Sequence, residues 1–151
     1  MTLGFELAEQ IADLSDQYSI YAVTTSGANV LGMYTAFCLL QQKGLLATLP
    51  KIFPVLIADY QGGTLTNARS LALVAAAMHT GGSIIEHPAT HDGEYQTSFE
   101  GNTAFAAYQK NHIKGEKAVV IFTGKLWDTP LEPCSLPQYA TIQAFKRDYS
   151  L

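Results

Sequence analysis

Apolar residues recur along this chain in two alternating ways, as helical stripes and as short unbroken runs. In TLGFELAEQIADLSDQ, Leu3, Leu7, Ile11 and Leu14 share one stripe, and Glu6, Glu9, Asp13 and Asp16 share the opposite one. That spacing predicts an amphipathic helix with a solvated acidic face. The next run, YSIYAVTTS, is β-branched and aromatic, too short for a helix and suited to a buried parallel strand. GANVLGMYTAFCLLQQKG then reads as a helix that is apolar nearly all round, with its stop at Gly44.

The alternation continues to the end of the patterned region. PKIFPVLIADY reads as a strand, with Pro54 expected near its start rather than in its paired centre. TNARSLALVAAAMHTGG reads as a helix, with Thr66 or Asn67 near its N-cap and Gly81–Gly82 beyond its end. GSIIEH is a short strand, HPATHDGEYQTS a loop broken by Pro88 and Gly93, NTAFAAYQKNH a helix, and KAVVIFTG a strand. From Leu126 the chain is rich in proline and turn residues, with a helical pattern only at TIQAFKRD.

Strands alternating with helices imply parallel β-α-β units. The expected fold is a three-layer α/β/α domain with a mostly parallel sheet of about four strands, near residues 19–25, 52–58, 83–86 and 117–123. One such domain spans 1–130, and 131–151 form a tail packing on it. The length of 151 residues suits a single core.

Composition narrows the functional classes. The net charge of −4, with 13 acidic against 9 basic residues, argues against a nucleic-acid binder. No run approaches the ~18 apolar residues of a membrane span, so no membrane partner is expected. Two cysteines, Cys38 and Cys134, make no disulfide framework and point to a reducing, cytoplasmic setting. Charged residues are only 15% of the chain, against roughly 25% in ordinary soluble domains. Part of the outer surface is therefore expected to be covered, by a homo-oligomer or by a further domain.

Chemistry in an α/β sheet gathers where strands end and helices begin. The first such place is Thr24-Thr25-Ser26-Gly27-Ala28-Asn29, where small residues allow a tight turn and helix-start amides can hold a phosphate. Read alone, it is also the turn that any such domain needs. The second is Thr123-Gly124, where a hydroxyl at a strand end can reach the same crevice. The loop Glu86–Glu94 holds His87 and His91, but Pro88 and Gly93 oppose the helix that would align them, so it reads as solvated and no metal is expected. Cys38, inside an apolar helix, reads as a small core residue; Cys134 has no evident activating base, and Phe145-Lys146-Arg147 reads as a solvated helix face.

Together these segments resemble the C-terminal portion of the threonine synthase-like enzymes that use pyridoxal phosphate, fold type II, in the tryptophan synthase beta-like superfamily. The stretch from GFELAEQ through YAVTTSGANVLGMYTAFCLLQQKGLLATLPKIFPVL is similar to the family's helix, strand, phosphate loop, helix and following strand. Where the family has a Gly-Asn-Gly/Ala-Gly-Asn loop, this chain has Thr25, Ser26, Gly27, Ala28 and Asn29, without the first glycine and first asparagine. SFEGNTAFAAYQK resembles the family's Glu-Pro-Ala-Ser-Ala-Ala segment at Glu100 and Ala104, though not at Gly101 and Asn102. KAVVIFTGKLWDTP resembles its strand ending in Thr-Gly, with Asp128 and Pro130 near an expected Lys-Asp-Pro. The likeness covers roughly residues 2–130, with a gap or insertion around 83–98.

The resemblance implies that Thr25, Ser26, Gly27, Ala28 and Asn29 bind the cofactor phosphate, and that the Thr123 hydroxyl faces the pyridine nitrogen. The amides of residues 26–29 would then converge on one pocket with Thr123. The family's lysine, which holds the cofactor covalently and moves the substrate proton, lies in an N-terminal half in a Ser-Phe-Lys-Asp context. None of Lys43, Lys51, Lys110, Lys114, Lys117, Lys125 and Lys146 falls at its position. The chain thus reads as a partial lyase with no catalytic residue of its own, its reaction an amino-acid β- or γ-replacement or elimination completed by an N-terminal half. Two other readings stand beside it: a non-catalytic small-molecule-binding or oligomerisation module that keeps the fold, and an unrelated Rossmann-like domain, against which the missing GxGxxG weighs.

Overall fold

Unbroken β-branched runs separated by apolar helices leave each strand needing cover on both faces, and the chain meets that need in alternation. A computed structural model describes residues 2–11, 18–58 and 71–124. In order, the elements are α1 (Thr2–Gln10), β1 (Tyr18–Val23), α2 (Ala28–Gln42), β2 (Lys51–Ile57), α3 (Leu71–His79), β3 (Ile85–His87), α4 (Phe99–Asn111) and β4 (Lys117–Ile121). The strands form one sheet in the order β3-β2-β1-β4, parallel at every pairing. The expected α/β architecture is present. Leu14 and its acidic neighbours, the Thr66/Asn67 cap, Cys134, Asp128, Pro130, the TIQAFKRD segment and the 131–151 tail lie outside the described residues.

The strand period of two sorts the core into two layers. Ile20, Ala22, Ile52 and Leu56 point to one face and pack with Leu7, Val30, Met33, Phe37 and Leu73 of α1, α2 and α3. Val23, Val55 and Ile57 point to the other, against Ala104 and Ala107 of α4. Burying one such aliphatic side chain contributes about 1.5–3 kcal/mol. The buried small residues Gly101, Ala104 and Ala107 bring α4 close to its sheet face.

Helix ends follow their local signals. At Gly44, φ is +70°, and the Gly44 and Leu45 amides donate to the Gln41 and Leu40 carbonyls, the paired bonds of a Schellman stop. Gly81 (φ +77°) ends α3 in the same way, with the Gly81 and Gly82 amides on Met78 and Ala77. α4 begins three residues before the expected NTAFAAYQKNH because Ser98 caps it, its hydroxyl accepting from the Gly101 amide.

Four strand-level expectations are corrected. β1 stops at Val23 rather than residue 25, and β4 at Ile121 rather than 123, so Thr24, Thr25 and Thr123 belong to loops. β3 is Ile85–His87 rather than 83–86. Pro54 lies inside β2, opposite Ala22. It is tolerated because even-numbered residues of β2 face the β3 side, where Ile52 donates to the Thr80 hydroxyl and Ala58 to the His87 carbonyl. Pairing with β3 begins only at Val55, so the missing N–H of Pro54 costs no ladder bond.

Candidate functional site

Chain order creates the crevice. From β1 the chain steps through β2 to β3, moving one way across the sheet, and then returns to place β4 on the far side of β1. The strand order thus reverses between β1 and β4. α2 leaves β1 over one sheet face, and α4 leads into β4 over the other. At such a switch point the loops diverge and leave a crevice at the carboxyl ends of the strands. A cleft of about 530 Å³ lies there, lined by Val23, Thr24, Thr25, Ser26, Ala28, Asn29, Ser98, Glu100, Thr123 and Gly124.

Five of the six candidate residues, Thr25, Ser26, Ala28, Asn29 and Thr123, line this cleft. Gly27 does not. It is buried, adopts φ +83° at the start of α2, and turns its amide inward onto the Thr24 hydroxyl at 3.0 Å. The expectation that all four amides of 26–29 open on the pocket is corrected accordingly. The Ala28 amide reaches the Ser26 hydroxyl at 3.4 Å, and only the Ser26 and Asn29 amides lack an acceptor among the described residues.

Thr24 organises the loop. It is 3% exposed, and its hydroxyl donates to Asn29 Oδ1 at 2.7 Å while accepting from Gly27. Asn29 Nδ2 donates to the Val23 carbonyl at 2.9 Å, and Asn29 Oδ1 also accepts from the Val30 amide. The Thr24 amide donates to the Val55 carbonyl of β2. The buried hydroxyl therefore fixes the turn and the first turn of α2, the Thr24 amide sets the register on the sheet, and Thr25 and Ser26 are left exposed.

The opposite wall is held by the start of α4. Thr97 Oγ1 donates to the Gly124 carbonyl at 3.0 Å, and Ser98 Oγ donates to the Thr123 carbonyl. Residues that follow β4 are thereby tied to the start of the helix on the other sheet face, which holds Thr123 in the lining of the cleft with Ser26. Glu100, in the first turn of α4, adds a carboxylate to the lining. No lysine or arginine is among the described lining residues, so an anion held here depends on the α2 N-terminus, its free amides and the hydroxyls.

Ser98 and Glu100 as wall residues, and Thr24 as the buried organiser, were not singled out by sequence reasoning. The signal for Ser98 was present: a serine with a glutamate two residues on, ahead of an apolar run, is an N-cap pattern. The hydroxyl partners of Thr24 are local, at Gly27 and Asn29, but its burial against β2, where its amide meets Val55 31 positions away, has no local signature.

The other candidates are not brought to the cleft. His87 Nδ1 lies 2.9 Å from the Pro88 carbonyl, and the His91 ring stacks on Phe99 at 5.5 Å. Their loop is pinned to α4 by Thr90 donating to Thr103 Oγ1 and Asn102 Nδ2 donating to the His91 carbonyl. Among the described residues, no three His, Cys, Asp or Glu side chains gather as metal ligands. Cys38, expected in the core, is only half-buried; one turn before it on α2, Tyr34 meets His79 at the end of α3.

No protein-family model matches the chain, and no curated protein matches it at a significant level. The family likeness therefore rests on the motifs quoted above.

Proposed function

We propose that this chain forms the cofactor-phosphate half of a threonine synthase-like, pyridoxal-phosphate-dependent lyase, with the lysine supplied from outside the chain. One observation carries the reading: hydroxyl and amide donors after β1 and Thr123 after β4 line a single cleft, although about a hundred residues separate them in sequence. The cleft's 530 Å³ falls within the roughly 300–1,000 Å³ of small-molecule sites, and its donor set suits a phosphate.

When bound, the cofactor supplies the electron sink for carbanion chemistry on an amino-acid substrate. The chain's own part is positional. Thr25 and Ser26 hydroxyls with the Ser26 and Asn29 amides hold the phosphate at the α2 N-terminus. The Thr123 hydroxyl meets the ring nitrogen from the far wall. Alone, the chain is catalytically silent; the reading carries a homo-oligomer or an N-terminal half as partner, and a cytoplasmic setting.

Pyridoxine 5′-phosphate tests this cleanly, because it lacks the aldehyde that reacts with surface lysines. Titration followed by NMR should shift the signals of residues 25–29 and Thr123 together, and unphosphorylated pyridoxine should shift them far less. Thr123→Val should weaken binding by about 0.5–1.5 kcal/mol, one hydrogen bond, without changing the response to inorganic phosphate. Absence of any response to pyridoxine phosphate at millimolar concentration overturns the reading.

Glu100 favours a second reading, a binding module that keeps the fold without the cofactor. A carboxylate on one wall and free helix-start amides on the other suit a zwitterion, its ammonium on Glu100 and its carboxylate at Ser26. An amino acid that binds without pyridoxine phosphate, and loses affinity in Glu100→Gln, selects this reading.

A further inference from the structure

We propose that β4 is a docking strand for a second copy of this chain, the two β4 strands pairing antiparallel about a two-fold axis at Val120. The strand order leaves β4 at one edge of the sheet. Which of its main-chain groups face outward follows from the ladder. The Thr24 amide donates to the Val55 carbonyl, so even-numbered residues of β1 bond to β2 and odd-numbered ones to β4. With Tyr21 opposite Val120, the parallel ladder uses the amides and carbonyls of the flanking Val119 and Ile121. Those of Ala118, Val120 and Phe122 point away from β1, and among the described residues no strand lies beyond them.

Natural sheet edges are commonly blunted by charge, proline or a bulge. Here the register with β1 runs unbroken from Lys117 to Ile121. KAVVIF contains no proline, and its one charge is at Lys117. The side chains are incompletely covered on both faces: Val119, Val120 and Ile121 are half-buried, and Phe122 is exposed beside Tyr95 and Phe105. The opposite edge differs. β3 is three residues long and runs into Pro88, which leaves little to template a partner. Head-to-tail growth from β4 onto β3 is therefore disfavoured, and a closed pair through β4 alone is the alternative.

The strand's own sequence selects a second copy as its occupant. Identical strands related by a two-fold axis perpendicular to the sheet run antiparallel, which is the more stable ladder. Centring the axis on Val120 brings every outward residue into a bonded pair: Val120 with Val120, and Ala118 with Phe122 in both directions. Each such pair exchanges two main-chain hydrogen bonds. Opposed side chains share a face, so the large Phe122 covers the small Ala118 of the other copy. The two Lys117 residues fall at opposite ends of the pair, about 20 Å apart along the strands, and no like charges meet. The inference does not rest on the cofactor reading; it needs only the strand order and the exposed edge.

Sedimentation of the full-length chain at micromolar concentration tests it, together with hydrogen exchange followed by NMR. The native protein is expected to be a dimer in which the Ala118, Val120 and Phe122 amides are protected, with protection fading on dilution. Val120→Pro removes an outward N–H and no bond to β1, so the fold should persist. The two symmetric hydrogen bonds it deletes should weaken the dimer by roughly ten- to a hundredfold. Phe122→Lys places a charge on the exposed edge and should weaken it comparably, which keeps the test decisive if Val120→Pro fails to fold. A native monomer overturns the proposal, including one whose outer β4 amides are protected by residues 125–151 of the same chain. A dimer that tolerates both variants, or whose Ala118, Val120 and Phe122 amides exchange as fast as in the dilute chain, places the contact elsewhere and overturns it equally.

Discussion

Thr24 shows how much of the candidate site depends on one side chain that the ligand need not touch. Its hydroxyl satisfies the Gly27 amide and Asn29 Oδ1, both inside the turn. Replacing it with valine keeps the volume but leaves the buried Gly27 amide without its acceptor, and Asn29 Oδ1 with the Val30 amide alone. A buried polar group left unpaired costs about 1–3 kcal/mol, and that loss is expected for Thr24→Val in urea unfolding. Thr24→Ser, which retains the oxygen, should keep most of the stability. The same pair separates scaffold from contact: Thr24→Val should weaken ligand binding by loosening the loop, whereas Ser26→Ala should weaken it with stability unchanged.

At the scale of elements, the sheet is braced at the amino end, opposite the cleft. Lys51, which opens β2, pairs with Glu116, just before β4, at 2.8 Å; the two side chains are 24% and 13% exposed. The pair spans β1, whose buried Ser19 lies between them in register with both Lys51 and Ala118. Burial by itself raises the Glu116 carboxyl, but the Lys51 hydrogen bond, the nearby Ser19 hydroxyl, the Lys51 charge and the Ile113 backbone together hold it below its ordinary value. A carboxyl lowered by folding stabilises the fold above its unfolded pKa, about 4.3 for glutamate, and that contribution is lost as pH falls through the lower folded value. Stability measured from pH 7 downward should therefore drop in this acidic window. Glu116→Gln should start lower at pH 7, fall less steeply, and meet the native protein at the acid end. Parallel curves with a constant offset would show that the carboxyl does not titrate in this way.

At the scale of the whole molecule, the strand order rather than any single motif makes the crevice. The return of β4 to the far side of β1 opens the carboxyl edge between α2 and α4, and interactions at both ends of the sheet hold it there. The same chain leaves large apolar side chains in solvent, including Tyr95 at 44% and Phe122 at 42% exposure, which meet in one aromatic cluster. With only 15% charged residues, that surface is poorly suited to an isolated monomer. A homodimer or larger assembly is expected, burying more than about 1,000 Å² in total. Light scattering at micromolar concentration checks this, and a clean monomer there removes the oligomer from the proposal.

The sequence by itself determined the element types, their alternation and the parallel fold class. Those depend on short-range physics: unbroken β-branched runs such as KAVVIFTG, helical stripes such as Leu3-Leu7-Ile11, and glycine stops at Gly44 and Gly81. It also placed the loop at 24–29 and the turn at Thr123-Gly124 at strand ends. Tertiary structure alone decided the rest. Which strands are neighbours set whether those two segments share a cleft, because the β1–β4 pairing joins residues a hundred positions apart. The β1–β2 pairing seats the Thr24 amide on Val55, and the late start of the β2–β3 pairing gives Pro54 a place without a ladder partner. The packing of α2 against the end of α3 brought Tyr34 to His79, 45 positions away, and Cys38, expected in the core, is only half-buried. In each case the deciding partner lies far away in sequence, where periodicity and local propensity carry no information.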